Sequence, residues 1–152
     1  RLKEVAGGDL ARRKVLVCGI AYLADVEDTR NSPAEVLVDE LTRVGARVTA
    51  HDPCVRRWDE RRAVPLAADL DAALADADAI VLTVPHRAYL ALNADTLLSK
   101  ARKCSAIVDA QNILSDETAA KLRRAGWRVA GVGKGHWRTA GYHLISRPRS
   151  ES

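Results

Sequence analysis

Residues 14–41 read KVLVCGIAYLADVEDTRNSPAEVLVDEL, and this stretch decides the fold. Lys14 to Cys18 is a short apolar, β-branched run ending at Gly19, which reads as a buried strand. A polar loop of about a dozen residues follows, where connections from strand to helix usually take two to six. Ser32-Pro33-Ala34-Glu35 then opens a helix. Ser is a good N-cap, Pro suits the first turn, and Glu three residues after Ser completes a capping box. Val36, Leu37, Leu41 and Val44 recur at helical spacing, and Gly45 supplies the stop.

The same alternation continues outward. Arg47 to His51 reads as a second strand, stopped by Asp52-Pro53, and Asp69 to Ala77 as a short helix. Ala79 to Val84 is a third strand, Ala88 to Arg102 is helical in part, and Ala106 to Ala110 is a fourth strand. Ser115 caps a helix ending near Gly126, and Trp127 to Val132 is a fifth strand. Strands alternating with helices imply a parallel sheet with right-handed crossovers. The strand runs are almost wholly apolar, as a sheet covered on both faces requires. The expectation is an α/β, Rossmann-like three-layer sandwich with a mainly parallel five- or six-stranded sheet. Residues 1–13 form a lead-in, 14–135 the domain, and 136–152 a basic tail.

Composition agrees. At 152 residues and 16.5 kDa the chain suits one domain. Hydrophobic residues at 47% and charged residues at 29% exclude a disordered chain. Phe is absent and aromatics total 4%, so Val, Leu, Ile and Ala must build the core. No apolar run approaches the roughly 20 residues of a membrane span. The N-terminus is polar and lacks Met, so a piece of a longer or trimmed product is expected. Cys18, Cys54 and Cys104 are an odd, scattered set without a C-x-x-C pair. That argues against a structural zinc site and for reduced thiols in the cytoplasm. The last 32 residues carry +7 net and the other 120 carry −3. Such a basic end suits an anionic ligand, or is a solvated tail.

Ligands of open α/β sheets bind beyond the carboxyl ends of the strands. Five segments qualify: Gly19 to Asn31, Asp52 to Cys54, Pro85 to Tyr89, Gln111 to Leu114, and Gly133 to Trp137. In the first, Thr29, Arg30 and Asn31 precede a helix N-terminus, which favours an anion. Arg30 either grips a phosphate with two hydrogen bonds or pairs with Asp25, Glu27 or Asp28 and pins the loop. The G-x-G-x-x-G fingerprint is missing, because Ile20 and Ala21 follow Gly19. Gly131-x-Gly133-x-Gly135 has no helix after it and reads as a turn. His86 follows a strand end, where it can face a ligand, and His51 reads as a packing residue. Cys18 reads as a buried small hydrophobe. Trp137 among Lys134, Arg138, Arg147 and Arg149 makes only a thin case for nucleic acid.

Taken together these motifs resemble the C-terminal domain of the UDP-glucose/GDP-mannose dehydrogenase family. Gly19, Ala21 and Tyr22 match its G-x-A-Y/F-K segment, and Asp28, Arg30, Ser32 and Pro33 match its D-x-R-x-S-P. VTAHDP, ADAIVLTVPHRAYLALN and AIVDAQNIL follow in the family's order, and the resemblance spans roughly residues 10 to 133. It implies a parent enzyme with an N-terminal NAD-binding domain and a central helical domain bearing a catalytic Cys. Such enzymes oxidise the C6 hydroxyl of a nucleotide sugar to a carboxylate, using NAD twice. The C-terminal domain binds the UDP- or GDP-sugar, so this chain alone is not expected to turn over substrate. The resemblance places Tyr22, Leu23 and Gln111 at the substrate and Arg30 on the cofactor side. At Leu23 the family has Lys, and at Gln111 it has Arg. Each change removes a cation, and each lost charge-assisted hydrogen bond costs roughly 1.5–3 kcal/mol. Arg12, Arg13, Arg87 and Lys134 are the cations available to compensate. Failing that, the domain is a non-catalytic binding or interaction module without the family's ligand charges.

Overall fold

The computed structural model describes residues 8–131. Within them the apolar runs become strands β1 (Lys14–Cys18), β2 (Arg47–His51), β3 (Leu66–Ala67), β4 (Ala79–Leu82), β5 (Ala106–Asp109) and β6 (Arg128–Gly131). They pair in parallel in the order β3-β2-β1-β4-β5-β6. The helices are α1 (Pro33–Arg43), α2 (Leu70–Asp76), α3 (Arg87–Leu90), α4 (Ala94–Lys100) and α5 (Asp116–Arg124).

Alternation along the strands sorts the core into two halves. Val15, Val17, Ala50, Val81 and Val108 share one cluster with Val38 and Leu41 of α1. Leu16, Cys18, Ile80, Leu82 and Ile107 share the other with Leu74, Leu97 and Leu122 of α2, α4 and α5. The chain leaves β1 toward β2 in one direction and leaves β4 toward β5 and β6 in the other. Right-handed crossovers then put the helices on opposite faces, which makes the three layers. The core is largely aliphatic, as composition requires, but Trp58, Tyr89 and Trp127 are buried in it too.

Three local readings change. β3, only two residues long, adds a sixth strand and carries no periodic signal. The third strand stops at Leu82 and not at Val84: the Thr83 N–H still donates to the Cys18 carbonyl, but β1 ends there and Gly19 turns the chain away at φ +109°. The capping box at α1 is half formed. Ser32 Oγ accepts from the Ala34 N–H at 3.1 Å, but the Ser32 N–H donates to the Thr29 carbonyl. Glu35 turns away to Arg61, 3.6 Å distant. Part of the expected lead-in packs on the domain: Leu10 is buried and the Arg12 N–H donates to the Gly45 carbonyl. Val132, the Gly133 to Trp137 segment and the basic tail lie outside the described residues.

Candidate functional site

β1 lies between β2 and β4, where the order of the sheet reverses, so the loops after these strands meet at the edge where open α/β sheets bind ligands. Gly19 sits at φ +109°, and a Cβ there would stand 2.7 Å from Val84 Cβ. Only glycine lets the loop after β1 lie against the turn after β4.

Asp52 ties these loops together. Its buried Oδ2 accepts from the N–H groups of Ile20 at 2.8 Å and Ala21 at 3.0 Å, and lies 2.8 Å from His86 Nε2. Oδ1 accepts from the Cys54 N–H at 2.8 Å. In a dinucleotide-binding turn the N–H groups after the first strand face a pyrophosphate. Here the chain's own carboxylate takes that place, so the β1 turn does not fit NAD.

His86 is fully buried, and its Nδ1 accepts from the Asp25 N–H at 2.8 Å. That bond places the proton on Nε2, facing Asp52. His86 therefore holds loops together with both nitrogens. His51 is the satisfied packing residue its sequence position suggests. Tyr89 donates its hydroxyl to the His51 carbonyl at 2.8 Å, and His51 Nδ1 meets the phenol oxygen at 2.7 Å. Burial lowers the pKa of His51 and keeps its ring neutral. Cys18 is inert: burial pushes its thiol far up.

The long first loop closes on itself and on its neighbours. The Tyr22 N–H donates to the Asp28 carbonyl at 2.7 Å, and Thr29 Oγ1 donates to Glu60 at 2.6 Å. Asp25 and Asn31 adopt the left-handed conformation. Arg30 grips Asp28 through Nε at 3.0 Å and Nη2 at 2.9 Å, and holds that carboxyl down to about 2. The loop-pinning alternative for Arg30 is thus realised in this geometry. Its side chain nevertheless stays 78% exposed and lines a hollow of about 320 Å³ with Tyr22, Asp28 and Asn31.

The fold therefore brings Tyr22 and Arg30 together. Leu23, 59% exposed, and Gln111 are both at the same edge but do not line that hollow. Buried Asp109 shapes the Gln111 turn, accepting from the N–H groups of Gln111, Ile113 and Leu114. Arg12 and Arg13 precede β1 and so stand at the opposite edge of the sheet, away from any role here. Arg87 follows β4 at the proper edge and lies 3.6 Å from Asp25. Lys134 is outside the described residues.

The UDP-binding domain model of the UDP-glucose/GDP-mannose dehydrogenase family matches residues 16–116. The chain belongs to that family. It is 35% identical over 133 residues to the UDP-glucose 6-dehydrogenase of Rhizobium meliloti, covering 85% of this chain and 29% of that one. It is 32% identical over 137 residues to the UDP-N-acetyl-D-mannosamine dehydrogenase of Methanocaldococcus jannaschii, covering 89% and 30%. Among solved structures it resembles the NDP-N-acetyl-D-galactosaminuronic acid dehydrogenase of Methanosarcina mazei. There the TM-score is 0.77 at 28% identity, over 96% of this chain and 29% of that one. The chain thus spans under a third of the length of these relatives and corresponds to their UDP-binding domain. No helix among the described residues is long and apolar enough to cross a membrane.

Proposed function

We propose that this domain holds the diphosphate end of a UDP- or GDP-sugar as the substrate-binding part of an NAD-dependent nucleotide-sugar 6-dehydrogenase. One observation carries the reading. The family's UDP-binding pattern spans residues 16–116, and its most distinctive loop forms the hollow of Tyr22 and Arg30 at the sheet's ligand-binding edge. The Tyr22 ring offers a flat face beside the substrate, and Arg30 supplies paired N–H donors. A ligand phosphate must compete with Asp28 for that guanidinium, but an exposed ion pair is weak and yields readily.

Leu23 and Gln111 occupy the substrate positions where the family has cations, so binding here rests more heavily on Arg30. NAD, which removes hydride from the sugar C6 in the parent enzyme, is held mainly by the N-terminal domain. Asp52 filling the β1 turn supports that division of labour. The partners are thus the N-terminal and central domains of the parent. Free Cys18, Cys54 and Cys104 suit the reducing cytoplasm.

Calorimetric titration of UDP-glucose, GDP-mannose and NAD into the full chain tests this. The expected result is binding of a nucleotide sugar, none of NAD, and a loss of roughly tenfold or more in Arg30→Ala. Unchanged affinity in that variant contradicts the role of the loop. Absence of nucleotide-sugar binding would instead leave a module that has lost its ligand.

A further inference from the structure

Three different donor atoms converge from the loops after β1, β2 and β4. Cys54 Sγ lies 3.9 Å from His86 Nδ1, and Asp25 Oδ1 lies 3.7 Å from the same nitrogen. All three donors fall within 4.8 Å of one another. A tetrahedral zinc ion with a Zn–S bond of about 2.3 Å and a Zn–N bond of about 2.0 Å spaces sulfur and nitrogen by about 3.5 Å. The sulfur and nitrogen therefore need to close in by a few tenths of an ångström, and Cys54 Sγ and the Asp25 carboxylate by up to about an ångström.

The surroundings also suit a cation. His86 Nε2 hydrogen-bonds to buried Asp52, the carboxylate–histidine arrangement that orients imidazole ligands and makes them more basic. It leaves Nδ1 as the nitrogen with a lone pair, which accepts from the Asp25 N–H. We infer that Asp25, Cys54 and His86 form a binding site for a borderline-soft divalent cation of the zinc class. The mixed S, N, O set favours zinc over calcium or magnesium, which take oxygen. Three protein donors leave a fourth position for water or a ligand oxygen.

Two bonds must give way when the ion enters. The Asp25 N–H releases His86 Nδ1, and Asp25 Oδ1 releases the Arg87 N–H, 3.2 Å away. The Cys54 proton leaves to solvent as the thiolate binds. A bound ion would clip the loops after β1, β2 and β4 to one another. No residue spacing signals the site, because its donors are 29 and 32 positions apart in sequence.

Cobalt(II) is the probe, because a thiolate–cobalt bond absorbs in the near ultraviolet and a four-coordinate ion adds visible bands. Added to the full chain, cobalt should bind at one equivalent with both signatures, and zinc should displace it. Cys54→Ser should abolish the near-ultraviolet band, and Asp25→Asn should weaken affinity by roughly tenfold or more. Zinc should raise the thermal midpoint of the parent chain, less that of Asp25→Asn at the same zinc concentration, and not that of Cys54→Ser, which guards against a variant that merely folds poorly. No thiolate band, or a band that survives in Cys54→Ser, overturns the site. The readout is independent of whether any nucleotide sugar binds.

Discussion

Asp52 shows how one buried side chain sets the geometry of three loops. Four N–H groups converge on its carboxylate, so Asp52→Ala orphans three backbone donors and an imidazole. At about 1–3 kcal/mol per unsatisfied buried group, the loss should be at least about 3 kcal/mol by urea unfolding. A loss under about 1 kcal/mol would mean that water or relaxation replaces the carboxylate. His51 gives a prediction in pH. Its native pKa is lowered, chiefly by burial, below the ordinary 6.5. The unfolded chain therefore takes up this proton first. The stability His51 contributes is complete above about pH 6.5 and is lost as pH falls toward its native pKa. Unfolding free energies measured from pH 7 to 5 should show the fall, and His51→Gln should lessen it. Little of this polar core was legible in the sequence. Asp52 and His86 both stand at strand ends, which was visible, but their bond joins residues 34 apart and only the fold brings them together.

Elements were far more legible, because their signals are local. Apolar runs marked β1, β2, β4, β5 and β6, and Ser32 and Ser115 announced the starts of α1 and α5. β3 and the short 3-10 turn at Asp59–Arg61 escaped because two or three residues carry no period. Yet Arg61 in that turn grips Asp39 of α1 at 2.7 and 2.8 Å, which helps seat the helix. Ser32→Ala removes the one side-chain cap on α1 and should cost about 1 kcal/mol in thermal or urea unfolding. The far larger penalty expected at the helix interface is the test of the layer model. Leu41→Ala should cost about 2–5 kcal/mol, since Leu41 is buried between α1 and the sheet.

At the scale of the whole molecule, sheet order decides where function can sit. The reversal at β1 puts Tyr22, Leu23, Arg30, Arg87 and Gln111 on one edge and sends Arg12 and Arg13 to the other. The edge was legible from the alternation of strands and helices. The pairing of Arg30 with Asp28 was only one of several open partners, because loop side chains are placed by tertiary contacts. If the two missing cations matter, restoring them should help. Leu23→Lys and Gln111→Arg should each tighten UDP-sugar binding by roughly tenfold in calorimetry. The most direct test of the central claim is a map of backbone amide shifts as UDP-glucose is added to the full chain. The account predicts that the largest changes fall in residues 19–31 and 111–114. Changes confined to the opposite edge, around Arg12, Arg13 and Gly45, would contradict it.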